Sequence, residues 1–175
     1  MKKERGVKLA VAAASWVLLL LVPFTAFAKD AKRGVSATAR WELFKPDQVP
    51  WRDAPATLPP GAKMAVLEGD PSKPGFFTVR FRLPDGYRVM PHWHPKTERL
   101  TILQGVVNLG MGDHFDAAAT QALGAGTYSS MPPKMTHFAW VSGETILQLS
   151  SIGPWKIIYV NPADDPRNEK KETEN

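Results

Sequence analysis

Glycine and proline cut this chain into short pieces, and the pieces between the cuts alternate apolar and polar residues. Lys63 to Leu67 ends at Gly69-Asp70-Pro71 and Lys73-Pro74-Gly75, and Phe76 to Leu83 ends at Pro84-Asp85-Gly86, a strong hairpin signal. Tyr87 to His94, Glu98 to Gln104 and Val106 to Met111 follow, the last two on either side of a turn expected at Gln104-Gly105. Beyond a polar loop and an alanine-rich stretch come Gly126–Met131, His137–Val141, Glu144–Ile152 and Lys156–Val160. Strands at this spacing predict an all-β sandwich or small barrel and exclude a long helical array. At 175 residues the chain is one domain with tails.

The first 28 residues read differently. Lys2, Lys3, Arg5 and Lys8, with Glu4, place a charge of +3 before an apolar run from Leu9 to Val22, which is followed by Pro23 and Ala26-Phe27-Ala28. This is the three-part layout of a secretory signal peptide, with cleavage expected after Ala28. Export is therefore expected, to the periplasm or outside the cell, with no stable membrane anchor. Of the chain's net charge of +5, about +2 then remains on the mature part, too little to argue for nucleic acid. With no cysteine, disulfide frameworks, thiolate zinc sites and cysteine nucleophiles are excluded.

Residues 29–60 read as a linker followed by an extended arm. Pro46, Pro50, Pro55, Pro59 and Pro60 hold the backbone open while Trp41, Phe44 and Trp51 offer anchors. The barrel is expected over 61–160, and 161–175, charged and nearly without apolar residues, as a frayed tail. The arm can also meet a neighbour's sheet edge, which gives a route to homodimers.

Two of the four histidines make His92-Trp93-His94. On a strand, side chains two apart face the same way, about 6.5–7 Å apart, from which two imidazoles can converge on one ion. Pro95-Lys96-Thr97 turns the chain, and Glu98 can bring a carboxylate back over the same face. His137 follows a second run of glycine and proline. The segment Gly86-x5-His92-x-His94-x3-Glu98-x6-Gly105 resembles the first motif of the cupin superfamily at every spacing, and Gly126-x5-Pro132-x-Lys134-x2-His137 resembles the second. Two positions depart from the pattern: Lys134 stands where the family usually has glycine, and Val141 where it often has asparagine. Glycine at 134 would permit φ > 0 without strain, so the lysine bears on the turn before His137.

The resemblance implies a single-domain jelly-roll barrel, a double-stranded β-helix, in which His92, His94, Glu98 and His137 bind one divalent metal. Iron, manganese, zinc, nickel and copper all suit such nitrogen and oxygen ligands. It also implies a small-molecule ligand or substrate, and either a mononuclear dioxygenase-type oxidoreductase or a non-catalytic metal- and ligand-binding module of the periplasm. No further titratable group stands beside the four ligands as a general base.

Period-two alternation puts Met90 on the face of His92 and His94, and Phe81 on the apolar face of its strand with Val79 and Leu83. Both are candidates to line a pocket, with core packing as the alternative. Trp93 should point away from the metal residues, Arg80 and Arg82 should form a solvated face, and His114, in a polar loop, is expected at the surface.

Overall fold

The computed structural model describes residues 41–168, so the expected leader with its cleavage after Ala28, the start of the expected linker and the end of the expected tail lie outside the described residues. Nine strands run through it: β1 (Arg52–Asp53), β2 (Lys63–Glu68), β3 (Gly75–Leu83), β4 (Arg88–Trp93), β5 (Glu98–Met111), β6 (Thr120–Gly124), β7 (Tyr128–Met131), β8 (His137–Gly153) and β9 (Ile158–Tyr159). All pairings are antiparallel. Among the described residues no helix is long and apolar enough to cross a membrane.

Two long strands organise the barrel. β5 and β8 pair from Arg99↔Ser150 to Met111↔His137, and each belongs to two sheets in turn. The last part of β8 pairs with β3, and the first part of β5 with β7, giving the order β1-β2-β3-β8-β5-β7. The start of β8 pairs with β4, and the end of β5 with β6, giving β9-β4-β8-β5-β6. Strands that cross from one sheet to the other close a jelly roll and leave few open edges.

The sequence suggests a turn at Gln104-Gly105 and a break before Glu144; the structure has corners there instead. The register of β5 slips between Ile102 and Val106 while the strand continues. Gly105 (φ 76°) and Gly143 (φ 72°) both take left-handed backbone at this bend. A Cβ on Gly105 would lie 2.4 Å from Thr145 Oγ1 and 2.7 Å from the Glu144 carbonyl. A bulge bends a strand without ending it, so one long strand serves two sheets. Asp85, in the β3–β4 turn, accepts a hydrogen bond from the Gly143 N–H at 2.6 Å and ties that turn to the corner.

The alternation expected for Phe76–Leu83 is present: Phe77, Val79, Phe81 and Leu83 are buried and meet Leu147 and Leu149 of β8 and Leu100 and Ile102 of β5. Each such side chain stabilises the fold by about 1.5–3 kcal/mol on burial, so the barrel's stability comes from this interior. The arm lies against it. The Tyr87 hydroxyl donates to the Pro59 carbonyl at 2.6 Å, the Tyr159 hydroxyl to Thr57 at 2.8 Å, and Leu58 is buried. The first part of the segment expected to fray is ordered: Asn161 caps a short 3-10 turn through the Ala163 N–H, and Pro166 is buried. A capping side chain and a buried ring hold residues that charge composition alone marks as solvated.

Gly105→Ala is expected to lower unfolding stability by about 2 kcal/mol or more, because the new methyl meets backbone atoms in a conformation unsuited to it. Urea denaturation would show a reduced midpoint at unchanged slope. A midpoint equal to that of the parent would contradict the role given to this corner.

Candidate metal centre

His92 lies near the end of β4, His94 just past it, and Glu98 and His137 open β5 and β8. Local irregularities bring them together. In β4, Val89 is opposite Ala139 and His92 is opposite His137, so Met90 and Pro91 together face a single residue of β8. This is a bulge, and proline, which has no N–H for a ladder, suits it. The extra residue reverses the alternation: Val89, not Met90, lines the cavity beside the histidines, and Met90 packs partly buried against the core. Phe81 does line the cavity.

The turn before His137 needs left-handed backbone at 134, and the lysine adopts it, with φ 65°. This costs an ordinary residue roughly 1–2 kcal/mol, and the Lys134 N–H donates to the His94 carbonyl at 2.8 Å. The Ser151 hydroxyl donates to the Thr97 carbonyl at 2.7 Å and fixes the turn between His94 and Glu98.

The three imidazoles are oriented by the backbone. His92 Nδ1 lies 2.7 Å from the Met90 carbonyl, His94 Nδ1 2.7 Å from that of Lys156, and His137 Nδ1 3.0 Å from that of Met135. A carbonyl only accepts, so each Nδ1 carries a proton and each neutral ring keeps a lone pair on Nε2. One ring nitrogen of each histidine lies within 4.8 Å of the other two, an arrangement that could hold a metal ion. Glu98 closes the group, with Oε1 3.4 Å from His94 Nε2 and Oε2 3.4 Å from His137 Nε2. His94 Nε2 is buried and has no hydrogen-bond partner. Lone pairs and a carboxylate gathered at one buried point repel one another unless a positive charge lies among them. The donor set therefore fits a divalent cation.

The surroundings favour the neutral ring at His92 and His94, and the charged one at His137 while no cation is present. Burial, reinforced by His137 and His94, pulls the His92 pKa down to about 3. Burial lowers that of His94 too, against Glu98 and the Lys156 carbonyl. For His137 burial also opposes the charge, but the hydrogen bond and charge of Glu98 outweigh it and raise the pKa. Glu98 is fully desolvated, which alone would raise its pKa; the surrounding histidines reverse this and hold it below the ordinary range.

Above these residues opens a cavity. Its wall is apolar, with Leu83, Leu100, Val107, Leu147 and Phe81 prominent. The Tyr87 hydroxyl is engaged by Pro59, and burial raises its pKa far above the ordinary phenol value. Trp155, from the β8–β9 loop, also lines the cavity and stacks on His94. No spacing in the sequence marks it, because it reaches the site by tertiary packing. His114 is exposed beside Asp113, and Trp93 is half-buried and not part of the wall. Arg80 donates to Gln148 at 3.1 Å and Arg82 lies 4.9 Å from the Trp51 ring; neither lines the cavity.

A jelly roll with a buried histidine cluster at the base of its cavity defines a cupin. The family model described as the ChrR cupin-like domain matches residues 40–156, and the chain belongs to that family. The fold is similar to that of the polyketide cyclase RemF from Streptomyces resistomycificus, at 16% identity and a TM-score of 0.60, covering 75% of this chain and 94% of that one. It is also similar to an acetylacetone dioxygenase from Acinetobacter johnsonii, at 16% identity and a TM-score of 0.54, over 68% and 77% of the two chains. An RmlC-like cupin from Shewanella frigidimarina aligns at 20% identity and a TM-score of 0.50, over 65% and 94%. No curated protein matches the chain.

The burial of His92 has a consequence for pH. With a folded pKa of about 3 against an ordinary 6.5, His92 takes up a proton on unfolding throughout that interval. Its contribution is present above pH 6.5 and is lost as pH falls towards 3. His94 acts in the same sense, as does Glu98 below its ordinary 4.5. His137 is shifted the other way; its contribution is full below 6.5 and lost as pH rises through its raised value, so it does not offset the acid limb. The thermal midpoint of metal-stripped protein should fall steadily between about pH 6.5 and 4.5, and His92→Gln should flatten that slope. An equally steep slope in the variant would contradict the assignment.

Proposed function

We propose that this protein is an exported, mononuclear metal-dependent oxidoreductase of the dioxygenase type, acting on a small organic molecule with an oxygen-bearing head and an apolar body. One observation carries the reading: three Nε2 lone pairs and one carboxylate converge at the base of a cavity whose remaining wall, among the described residues, offers no free acid or base. The chemistry then belongs to the ion and its four neighbours. The leader-like layout from Lys2 to Ala28 supports export.

A redox-active divalent ion held by His92, His94, His137 and Glu98 would supply electron transfer and Lewis acidity toward an oxygen-bearing ligand. The protein's part is to bind and to hold protons. The carbonyls of Met90, Lys156 and Met135 keep the imidazoles in the tautomer that presents Nε2. Glu98, held as a carboxylate, can complete the ligand set or take the proton of an enol or phenol as that group binds as its anion. The apolar wall excludes water and accepts the ligand's body. The fold shared with an acetylacetone dioxygenase is in keeping with a ligand that chelates through two oxygens.

Iron- or manganese-loaded protein should consume oxygen with β-diketones or catechols, in proportion to loss of the organic compound. Glu98→Gln should slow this by about 100-fold at retained fold. Oxygen traces that stay flat with every metal, while the same compounds bind, would contradict the oxidoreductase and leave a metal- and ligand-holding module.

A further inference from the structure

One residue of the proline-rich arm takes part in two cavities. The cavity above the metal residues is walled by the barrel's strands and the turns between them, and Leu58 is its one contribution from the arm. A second cavity is lined by arm residues between Asp53 and Ala62 and by Pro166 of the C-terminal segment. Among the described residues Leu58 is the only one that lines both, so it stands as the partition between them. It is 8% exposed and belongs to the buried apolar cluster that includes Phe81, Leu83 and Tyr87, which places its side chain on the inward side of the arm.

The partition is held in place from several sides. The Ala54 N–H donates to the Ala62 carbonyl at 3.0 Å and closes the segment between them into a compact loop, and within it the Leu58 N–H donates to the Pro55 carbonyl at 2.9 Å. The carbonyls on either side of Leu58 are both taken: that of Thr57 by the Tyr159 hydroxyl at 2.8 Å, and that of Pro59 by the Tyr87 hydroxyl at 2.6 Å. Both tyrosines belong to the barrel, Tyr159 to β9 and Tyr87 to the turn before β4. Pro59 and Pro60 fix φ in the two residues that follow. Moving Leu58 out of the wall would break these bonds, so a ligand in the cavity meets it as a fixed surface.

We propose that Leu58 is a specificity-determining residue: it is the stop that limits how far the apolar body of a ligand extends from the metal centre, and it selects short bodies over long ones. This rests on the reading of that centre given under Proposed function, in which the oxygen-bearing head binds at the metal. Behind Leu58 lies the second cavity and not packed protein, so a smaller side chain there lengthens the space open to the ligand instead of leaving a sealed hole. Each methylene that finds room gains apolar burial, and each that meets the stop gains nothing.

Zinc-loaded protein allows a test without turnover, with straight-chain alkyl hydroxamates from acetohydroxamate to decanohydroxamate as probes and titration calorimetry as the readout. In the parent, affinity should rise about fourfold with each added methylene and then stop rising at a definite chain length. Leu58→Ala should move that length up by about two carbons, and Leu58→Phe should move it down. The first hydroxamate past the parent's limit should bind Leu58→Ala about tenfold more tightly than it binds the parent. A limit at the same length in parent and variants overturns the inference, as does parent affinity that never rises or never stops rising along the series. If Leu58→Ala fails to fold, Leu58→Val decides, with an upward shift of about one carbon expected and an unmoved limit overturning the inference. Failure of acetohydroxamate to bind zinc-loaded parent protein would instead overturn the accessible metal centre, and this inference with it.

Discussion

Three backbone carbonyls decide what this site can do. Met90, Lys156 and Met135 each take the Nδ1 proton of one imidazole, and the three Nε2 atoms are left facing inward with their lone pairs. If one ring flipped, it would present a proton where an ion should sit. The carbonyls come from different parts of the fold. One lies beside the bulge of β4, one in the left-handed turn at Lys134, and one in the loop between β8 and β9. The irregular pieces of the barrel thus aim the ligands, while the regular strands carry them.

The regular part makes the environment. β5 and β8 turn the corner at Gly105 and Gly143 and continue into the second sheet, so their inward residues wall one cavity from two sides. Leu100 and Leu147 belong to one half, and Val107 and Val141 to the other. The same apolar wall that stabilises the fold desolvates Glu98 and the histidines. Burial is what suits the cluster to a cation, since water cannot screen the carboxylate from the lone pairs.

Much of this was legible in the residue pattern. Alternation in Phe76–Leu83 marks the inner face, and the spacing of His92, His94, Glu98 and His137 marks residues that the structure gathers. Two departures from the residue pattern share one cause, a bulge that interrupts regular strand geometry. Alternation makes Met90 a candidate for the cavity or for core packing; the extra residue in β4 at Met90-Pro91 turns Val89 to the cavity and Met90 to the core. Gln104-Gly105 has turn chemistry, yet the long-range pairing of β5 with β8 carries the strand through it as a corner. Lys134 shows the converse: tertiary contacts hold a lysine in backbone that local preference reserves for glycine. Trp155 was invisible, because a residue that reaches the site by packing across the barrel leaves no mark on local spacing.

The central claim is that these four residues form a centre for a single ion. It is tested most directly by elemental analysis of untagged protein recovered from its natural compartment, before and after reloading with divalent metals. The account predicts close to one ion per chain, lost in His94→Ala while the circular dichroism of the barrel persists. Protein that stays empty after reloading, or that holds as much metal without His94, would contradict it.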